Sequence, residues 1–219
     1  MSNQFNNQLI NQFNSQLSNQ LSNNQVNNHI FNYYKGWPDS GKYYDKLNQI
    51  EDMVSKYLIN FSKINNKKNT VIFDIDDTLV YTDSINMFPA KKFPFEWLQG
   101  YMIFPEISQM VRIAKLCKKL EFKIIIITAR PLASKKSSIK NLKLFGIEYD
   151  EIYHNDNNEG LNFKIPLKRK LSQTNNIILS IGDQWPDIQG LTGCLCIKLP
   201  SIQDQNAYFT YDNISYYQI

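Results

Sequence analysis

Three apolar stretches of this sequence end in acidic or hydroxyl side chains or in arginine. These residues are Asp74, Asp76, Asp77 and Thr78 after the first stretch, Thr128 and Arg130 after the second, and Asp183 and Asp187 after the third. A single aspartate at such a place commonly caps a turn. Five aspartates need another explanation, because carboxylates gathered together raise one another's pKa unless a cation balances them. Groups of carboxylate oxygens suit magnesium, so the pattern predicts a magnesium-dependent site.

The spacing of Asp74 and Asp76 adds a geometric expectation. Residues two apart in an extended strand point to the same side, so both carboxylates would face one pocket. A carboxylate inside an apolar run costs on the order of several kcal/mol unless it is paired or bound to a metal. The pair therefore favours a chemical role over a purely structural one.

The elements that must position these residues alternate between strands and helices. Uninterrupted apolar runs predict buried strands, and apolar residues at helical spacing predict the helices between them. The predicted strands span 71–75, 122–128, 149–154, 176–182 and 194–199, and the predicted helices span 42–61, 107–120, 133–145 and 164–172. This alternation indicates an α/β fold with a central parallel sheet covered on both faces. Such sheets bind ligands beyond the carboxyl ends of their strands, where the polar residues lie.

Composition limits the partners that the protein is expected to have. The net charge of +4 is spread along 219 residues, so nucleic acid is not indicated as a partner. The sequence has no long apolar span and no secretory signal at its start, so we expect an intracellular protein without a membrane partner. Cys117, Cys194 and Cys196 are expected to be small buried hydrophobic residues in a reducing compartment.

The segment 1–33 differs in composition from the rest of the chain. Asn and Gln supply more than half of its side chains, and Asn is a poor helix former. Apolar residues nevertheless recur every four positions from Phe5 to Leu21, which would suit a narrow helix that self-associates. We predict a disordered tail at 1–33 and a folded domain at 34–219, with oligomerisation through the tail as an alternative.

Four segments in order resemble the motifs of the haloacid dehalogenase-like (HAD) superfamily: VIFDIDDTLV, IIIITAR, a downstream lysine and IGDQWPD. The chain most resembles the plant class III acid phosphatases and vegetative storage proteins of subfamily IIIB, and more distantly the bacterial class C acid phosphatases. GKYYDKL, NLKLFGI and IKLP extend the likeness, which runs from about Tyr34 to Phe209. The resemblance implies a Rossmann-like three-layer sandwich. The short separations between its motifs imply a small or absent cap.

The resemblance also implies a role for each matching residue. Asp74 would be the nucleophile that attacks phosphorus, and Asp76 would act as general acid and then as general base. Thr128 and the backbone N–H of Ala129 would hold a phosphoryl oxygen. Thr78 would brace the loop by hydrogen bonding.

Magnesium is the cofactor that the resemblance implies. Asp74, the backbone carbonyl of Asp76 and Asp183 would bind it directly, while Asp187 would act through water or hold a neighbouring group. The motif lysine is either Lys164 or Lys168.

Two observations bear on that choice of lysine. The spacing from Lys164 to Gly182 fits the family alignment, and Lys168 then occupies a position where the family usually has Arg. Pro166, however, favours a helix that begins between the two lysines.

The function implied is magnesium-dependent hydrolysis of phosphate monoesters, of the acid-phosphatase type, through a phospho-aspartate. Small molecules such as nucleoside monophosphates are the expected substrates. One alternative is a phosphatase that acts on nucleic-acid ends or phosphoproteins, and another is a non-catalytic storage or scaffold protein on the same fold. The retained nucleophile argues against the last alternative.

Overall fold

The computed structural model describes residues 40–64, 69–82, 106–156, 160–201 and 204–219. The predicted tail at 1–33 lies outside the described residues, and so does 83–105, where a cap could follow the first motif. Between Thr128 and Lys164, the described residues form two 3₁₀ turns, one helix and one strand. These elements complete a crossover, and they leave no room for a cap in that interval.

The described strands form one seven-stranded sheet in the order β3-β2-β1-β4-β5-β6-β7. They are β1 (Asn69–Phe73), β2 (Lys123–Pro131), β3 (Glu151–Asn155), β4 (Asn176–Gly182), β5 (Leu195–Lys198), β6 (Tyr208–Thr210) and β7 (Tyr217–Gln218). Strands β1 to β5 are parallel, which confirms the predicted sheet. Strands β6 and β7 add an antiparallel edge that the sequence did not predict, because strands of three and two residues leave no periodic pattern.

The described helices are α1 (Ser40–Ile64), α2 (Ser108–Lys119), α3 (Lys135–Leu144), α4 (Lys164–Ser172) and the single turn α5 (Trp185–Ile188). The long helices form because their apolar residues recur every three or four positions and meet the sheet. On α1 these are the fully buried Leu47, Ile50, Val54 and Leu58. The first four helices confirm the predicted ones within three residues at each end, whereas α5 was not predicted. None of the described helices is long and apolar enough to cross a bilayer.

Apolar packing against the sheet holds α4 and α5, the helices that contain Lys164, Lys168 and Asp187. The cluster comprises Ile72, Ile125, Ile127, Leu171, Ile177, Ile188, Leu191, Cys194 and Cys196. All three cysteines are buried and free of disulfides, as predicted. Helices α4 and α5 are therefore held firmly against the strands that precede the polar residues.

The strand order creates a crevice at the carboxyl ends of β1 and β4. The chain steps from β1 to β2 and β3 in one direction, then crosses to β4 and β5 on the other side. Because parallel crossovers are right-handed, the connecting helices cover opposite faces and separate at this switch point. Phe73 at the end of β1 is level with Ile126 on β2 and Ile181 on β4. The residues that follow these three positions therefore emerge at one edge of the sheet.

Candidate active site

Three aspartates form a buried cluster at the carboxyl ends of β1 and β4. Asp74 follows β1, whereas Asp183 and Asp187 follow β4. One carboxylate oxygen from each residue lies within 4.8 Å of the other two. The three residues are only 5%, 5% and 4% exposed. Three oxygen donors at this spacing fit a divalent cation of the Mg²⁺ type.

Burial and mutual repulsion change the protonation of the cluster. Burial raises the pKa of Asp74 to about 7, although the neighbouring Lys164 opposes the rise and Asp187 adds to it. Burial also raises the pKa of Asp183 well above its usual range, and the nearby carboxylates, first that of Asp77, raise it further. Without a cation, Asp74 and Asp183 therefore keep their protons to a higher pH than ordinary aspartates do. A divalent cation would favour their ionised form, so the donor set fits a metal.

Lys164 begins α4 and places a buried ammonium group between two of these aspartates. Its Nζ lies 2.9 Å from Oδ1 of Asp74 and 2.6 Å from Oδ1 of Asp187. Burial alone would lower the pKa of Lys164, but the two carboxylates outweigh this effect and raise it above its usual value. If all three carboxyl groups were ionised, they and the ammonium group of Lys164 would together carry two negative charges, which is the charge that one divalent cation neutralises.

Lys168, the other lysine that the sequence left open, contacts a different part of Asp187. It lies one helical turn after Lys164, and its Nζ donates a hydrogen bond to the backbone carbonyl oxygen of Asp187 at 2.5 Å. Lys168 is 1% exposed, and burial lowers its pKa to about 8 although the carboxylate of Asp187 opposes the change. The geometry thus places Lys164, and not Lys168, against Asp74.

A close contact between Gly182 and Asp187 shapes the loop after β4. A Cβ atom on Gly182 would lie 2.2 Å from the Cβ and Cγ of Asp187, so a larger residue would displace that side chain. The carboxylate of Asp187 also accepts the backbone N–H of Gln184 at 3.0 Å, which closes a capping box at the start of α5. The Gln184 side chain in turn donates to Oδ2 of Asp183 at 2.5 Å. Both aspartates are therefore held in fixed orientations.

Asp76 is paired with Arg130, a residue for which no role was predicted. Nε of Arg130 lies 2.9 Å from Oδ2 of Asp76, and Nη2 lies 2.7 Å from Oδ1. The Arg130 side chain is fully buried, whereas that of Asp76 is 19% exposed. An arginine directly after an apolar strand was a signal that the sequence offered, because a buried guanidinium needs an anionic partner.

The path of the chain after β1 differs from the predicted extended strand. The strand ends at Phe73, and Asp76 pairs with Val80 in an isolated bridge. Asp74 and Asp76 therefore do not share an extended strand, although their carboxyl groups stay close enough that Asp76 raises the pKa of Asp74. Asp74 points into the buried cluster, while Asp76 points to Arg130.

The loop after β1 is also fastened by a different residue from the one predicted. The hydroxyl of Thr78 is buried and has no hydrogen-bond partner among the described residues. Asp77 holds the loop instead, since its Oδ1 and Oδ2 accept the N–H and the hydroxyl of Thr82, each at 2.8 Å. Asp77 adopts a φ of 50°, a left-handed conformation that Asp tolerates better than most residues.

Thr128 and Ala129 lie near the end of β2, as expected for residues at the edge of the crevice. Thr128 is fully buried, and its Oγ1 accepts the backbone N–H of Arg130 at 3.2 Å. This bond leaves the hydroxyl proton of Thr128 available for another acceptor. The predicted phosphoryl contacts of Thr128 and Ala129 stay predictions.

A protein-family model matches residues 1–218 of this chain. The matched family is described as HAD superfamily, subfamily IIIB (Acid phosphatase). The match includes the segment 1–33, which the likeness of the motifs, beginning near Tyr34, did not reach. Among curated proteins, none matches the chain.

Two solved structures of a class C acid phosphatase show the same fold. The chain is similar to the class C acid phosphatase from Bacillus anthracis, with a TM-score of 0.57 at 20% identity over 77% of this chain and 73% of that chain. The structure of that phosphatase with tungstate bound gives the same values. The Pnkp1/Rnl/Hen1 complex gives a TM-score of 0.43 at 18% identity over 57% of this chain and 42% of that chain. Because so few residues are identical, the similarity to the phosphatase concerns the HAD-like α/β fold.

Proposed function

Because the chain belongs to the HAD superfamily, subfamily IIIB (acid phosphatase), and is thereby a phosphoric monoester hydrolase, we propose that it uses Mg²⁺ and a phospho-aspartate on Asp74. The observation that carries this proposal is the buried cluster of Asp74, Asp183 and Asp187, with Lys164 in contact with two of its members. A cluster of this charge, at the switch point of a parallel sheet, suits an anionic substrate that arrives with a cation.

In the first step, a carboxylate oxygen of Asp74 attacks phosphorus. A bond forms between phosphorus and Asp74, and the bond from phosphorus to the leaving oxygen breaks. Lys164 supports this role, because its Nζ lies 2.9 Å from Oδ1 of Asp74, where it would also stabilise charge on the transferred group.

Asp76 supplies the proton that the leaving oxygen requires. In the second step it takes a proton from the water that attacks the phospho-aspartate, so phosphate leaves and both carboxyl groups return to their starting state. The exposure of the two side chains supports this division, because Asp76 is 19% exposed and Asp74 only 6%. The leaving group and water would meet the more open carboxyl group.

A Mg²⁺ ion would offset the repulsion between ionised Asp74 and the phosphate of the substrate. We propose that Asp74, Asp183 and the backbone carbonyl of Asp76 bind it directly, and that Asp187 acts through water. The contacts of Asp187 support this distinction, because its carboxylate already accepts hydrogen bonds from Lys164 and Gln184.

The proposed substrates are small phosphate monoesters, among them nucleoside monophosphates. The test is phosphate release by the purified full-length chain from mononucleotides, sugar phosphates, phosphopeptides and end-phosphorylated oligonucleotides, with Mg²⁺ or with EDTA. We expect Mg²⁺-dependent release from the small esters, and none from Asp74→Asn. Equal release by wild type and Asp74→Asn would refute the mechanism. Faster release from the oligonucleotides or phosphopeptides would refute the substrate class.

A further inference from the structure

Helix α4 contacts one aspartate through two lysines. Lys164 and Lys168 are four residues apart and lie on the same face of the helix. Nζ of Lys164 contacts the carboxylate of Asp187 at 2.6 Å, and Nζ of Lys168 contacts the backbone carbonyl of the same residue at 2.5 Å. The helix therefore holds Asp187 at both its side chain and its main chain.

Ser180 donates a second hydrogen bond to the same carbonyl. Its Oγ lies 2.7 Å from the carbonyl oxygen of Asp187, and Ser180 is fully buried on β4. Two side chains from different elements thus meet at one backbone oxygen. An α-helix normally satisfies its own carbonyls, but α5 has only four residues and ends at Ile188, so this oxygen depends on side-chain donors.

Burial of the Lys168 ammonium group lowers the stability of the fold unless a hydrogen-bond acceptor or an anion pairs with it. A buried ammonium group with few partners is destabilising, and a Met or Leu side chain would fill similar volume without that cost. The backbone carbonyl of Asp187 gives this charge an acceptor. Lys168 therefore contacts a member of the acid cluster through that residue's main chain and does not contact the cluster's carboxylates.

We propose that Lys168, together with Ser180, is a positioning residue that fixes Asp187 and thereby sets the affinity of the acid cluster for Mg²⁺. The inference rests on the proposed function, because it takes the cluster of Asp74, Asp183 and Asp187 to be the metal site. Residues that orient a ligand from behind typically change metal affinity by about 10–100-fold when they are removed.

The test measures Mg²⁺ binding directly, by calorimetric titration of the full-length chain freed of metal. Lys168→Met should weaken Mg²⁺ binding by about tenfold, at the lower end of the range for such residues. Lys168→Arg should restore affinity to near the wild-type value, because it returns a charged donor to the carbonyl. Ser180→Ala should weaken binding less, and the double variant should fall short of the product of the two single effects, because both residues serve one acceptor.

Leu171→Ala is the matched control for loss of stability. Leu171 lies on the same helix, packs into the apolar cluster and is 8% exposed. This variant should lower the melting temperature while leaving the Mg²⁺ dissociation constant unchanged. A purely structural role for Lys168 would make Lys168→Met behave in the same way, and that result would overturn the inference.

The other possible results also test the inference. If Lys168→Met does not fold, Ser180→Ala gives the answer, and wild-type affinity in that variant overturns the inference. If the wild-type chain binds Mg²⁺ and releases phosphate while Lys168→Met binds Mg²⁺ equally well, only the role of Lys168 fails. If the wild-type chain binds no Mg²⁺, both this inference and the proposed metal site fail.

Discussion

Arg130→Lys should lower turnover while leaving the general acid in place, because it loosens Asp76 without removing it. The guanidinium of Arg130 meets both oxygens of Asp76, at 2.9 Å and 2.7 Å, and an ammonium group can keep only one such contact. A hydrogen bond to a charged group contributes about 1.5–3 kcal/mol. If about 2 kcal/mol of that is lost in the transition state of phosphoryl transfer to Asp74, kcat/KM falls by roughly 30-fold.

The leaving group of the substrate separates this effect from a general loss of structure. Nitrophenolate departs without a proton, whereas a ribose oxygen needs one from Asp76. Arg130→Lys should therefore lower kcat/KM, which reports transfer of the phosphoryl group to Asp74, by roughly 30-fold for a nucleoside monophosphate but only slightly for p-nitrophenyl phosphate. Asp76→Asn should show the same contrast with a larger loss, about 10²–10⁴-fold on the nucleotide.

Arg112→Lys is a matched control, because Arg112 also forms a fork to a carboxylate, that of Glu51, at 2.6 Å through each nitrogen. That pair is on the surface, so its loss should change neither rate. Equal slowing of both substrates by Arg130→Lys would contradict the reasoning. So would a double variant, Arg130→Lys with Asp76→Asn, in which the two losses multiply, because Arg130 is expected to act only through Asp76.

Asp74→Asn should abolish turnover and keep the melting temperature close to that of wild type, and activity within tenfold of wild type in protein free of deamidation would refute the nucleophile. Gly182→Ala should lower the melting temperature and the Mg²⁺ affinity together, since a Cβ atom there would lie 2.2 Å from the Asp187 side chain. The raised pKa of Asp74, about 7 against the usual 3.8, means that the folded, metal-free protein binds more protons than the unfolded chain between these values. Its stability should therefore fall as pH rises from about 4 to about 7. Mg²⁺ should then raise the melting temperature more at pH 8 than at pH 5, and thermal scans with Mg²⁺ or EDTA would test this.

The parallel core of the sheet was predictable because its strands are buried on both faces. Runs such as FKIIIIT have no alternation, and the turns that separate them are rich in Gly, Asn and Asp. The edge strands β6 and β7 were not predictable, since their pairing depends on the position of β5 and not on their own three and two residues. The sequence pattern predicts a strand well where the strand is fully buried. It fails for a short edge strand, whose conformation depends on pairing with the adjacent strand.

The site was predictable as a set of residues but not as a set of contacts. Asp74, Asp183 and Asp187 follow strands that the sequence identifies, so their meeting at one edge was expected. The partner of Asp76 was not expected, because Arg130 lies 54 residues away and spacing along a strand says nothing about a loop that turns after Phe73. Long-range ion pairs depend on tertiary packing, which a single sequence does not display.

The choice between Lys164 and Lys168 shows why spacing alone could not decide. Residues four apart share a helix face, so either lysine could have met the acid cluster. Pro166 had favoured a helix that begins after Lys164, yet α4 begins at Lys164 and takes Pro166 as its third residue. The N–H groups of the first turn have no partner within the helix, so proline costs little there. The helix therefore includes both lysines on one face, and Asp187 lies opposite them with its carboxylate towards Lys164 and its carbonyl towards Lys168. Because Asp187 contacts both lysines, a substitution of either lysine disturbs Asp187. The roles differ because only Lys164 also contacts Asp74, whereas Lys168 is expected to act on Mg²⁺ affinity through Asp187 alone.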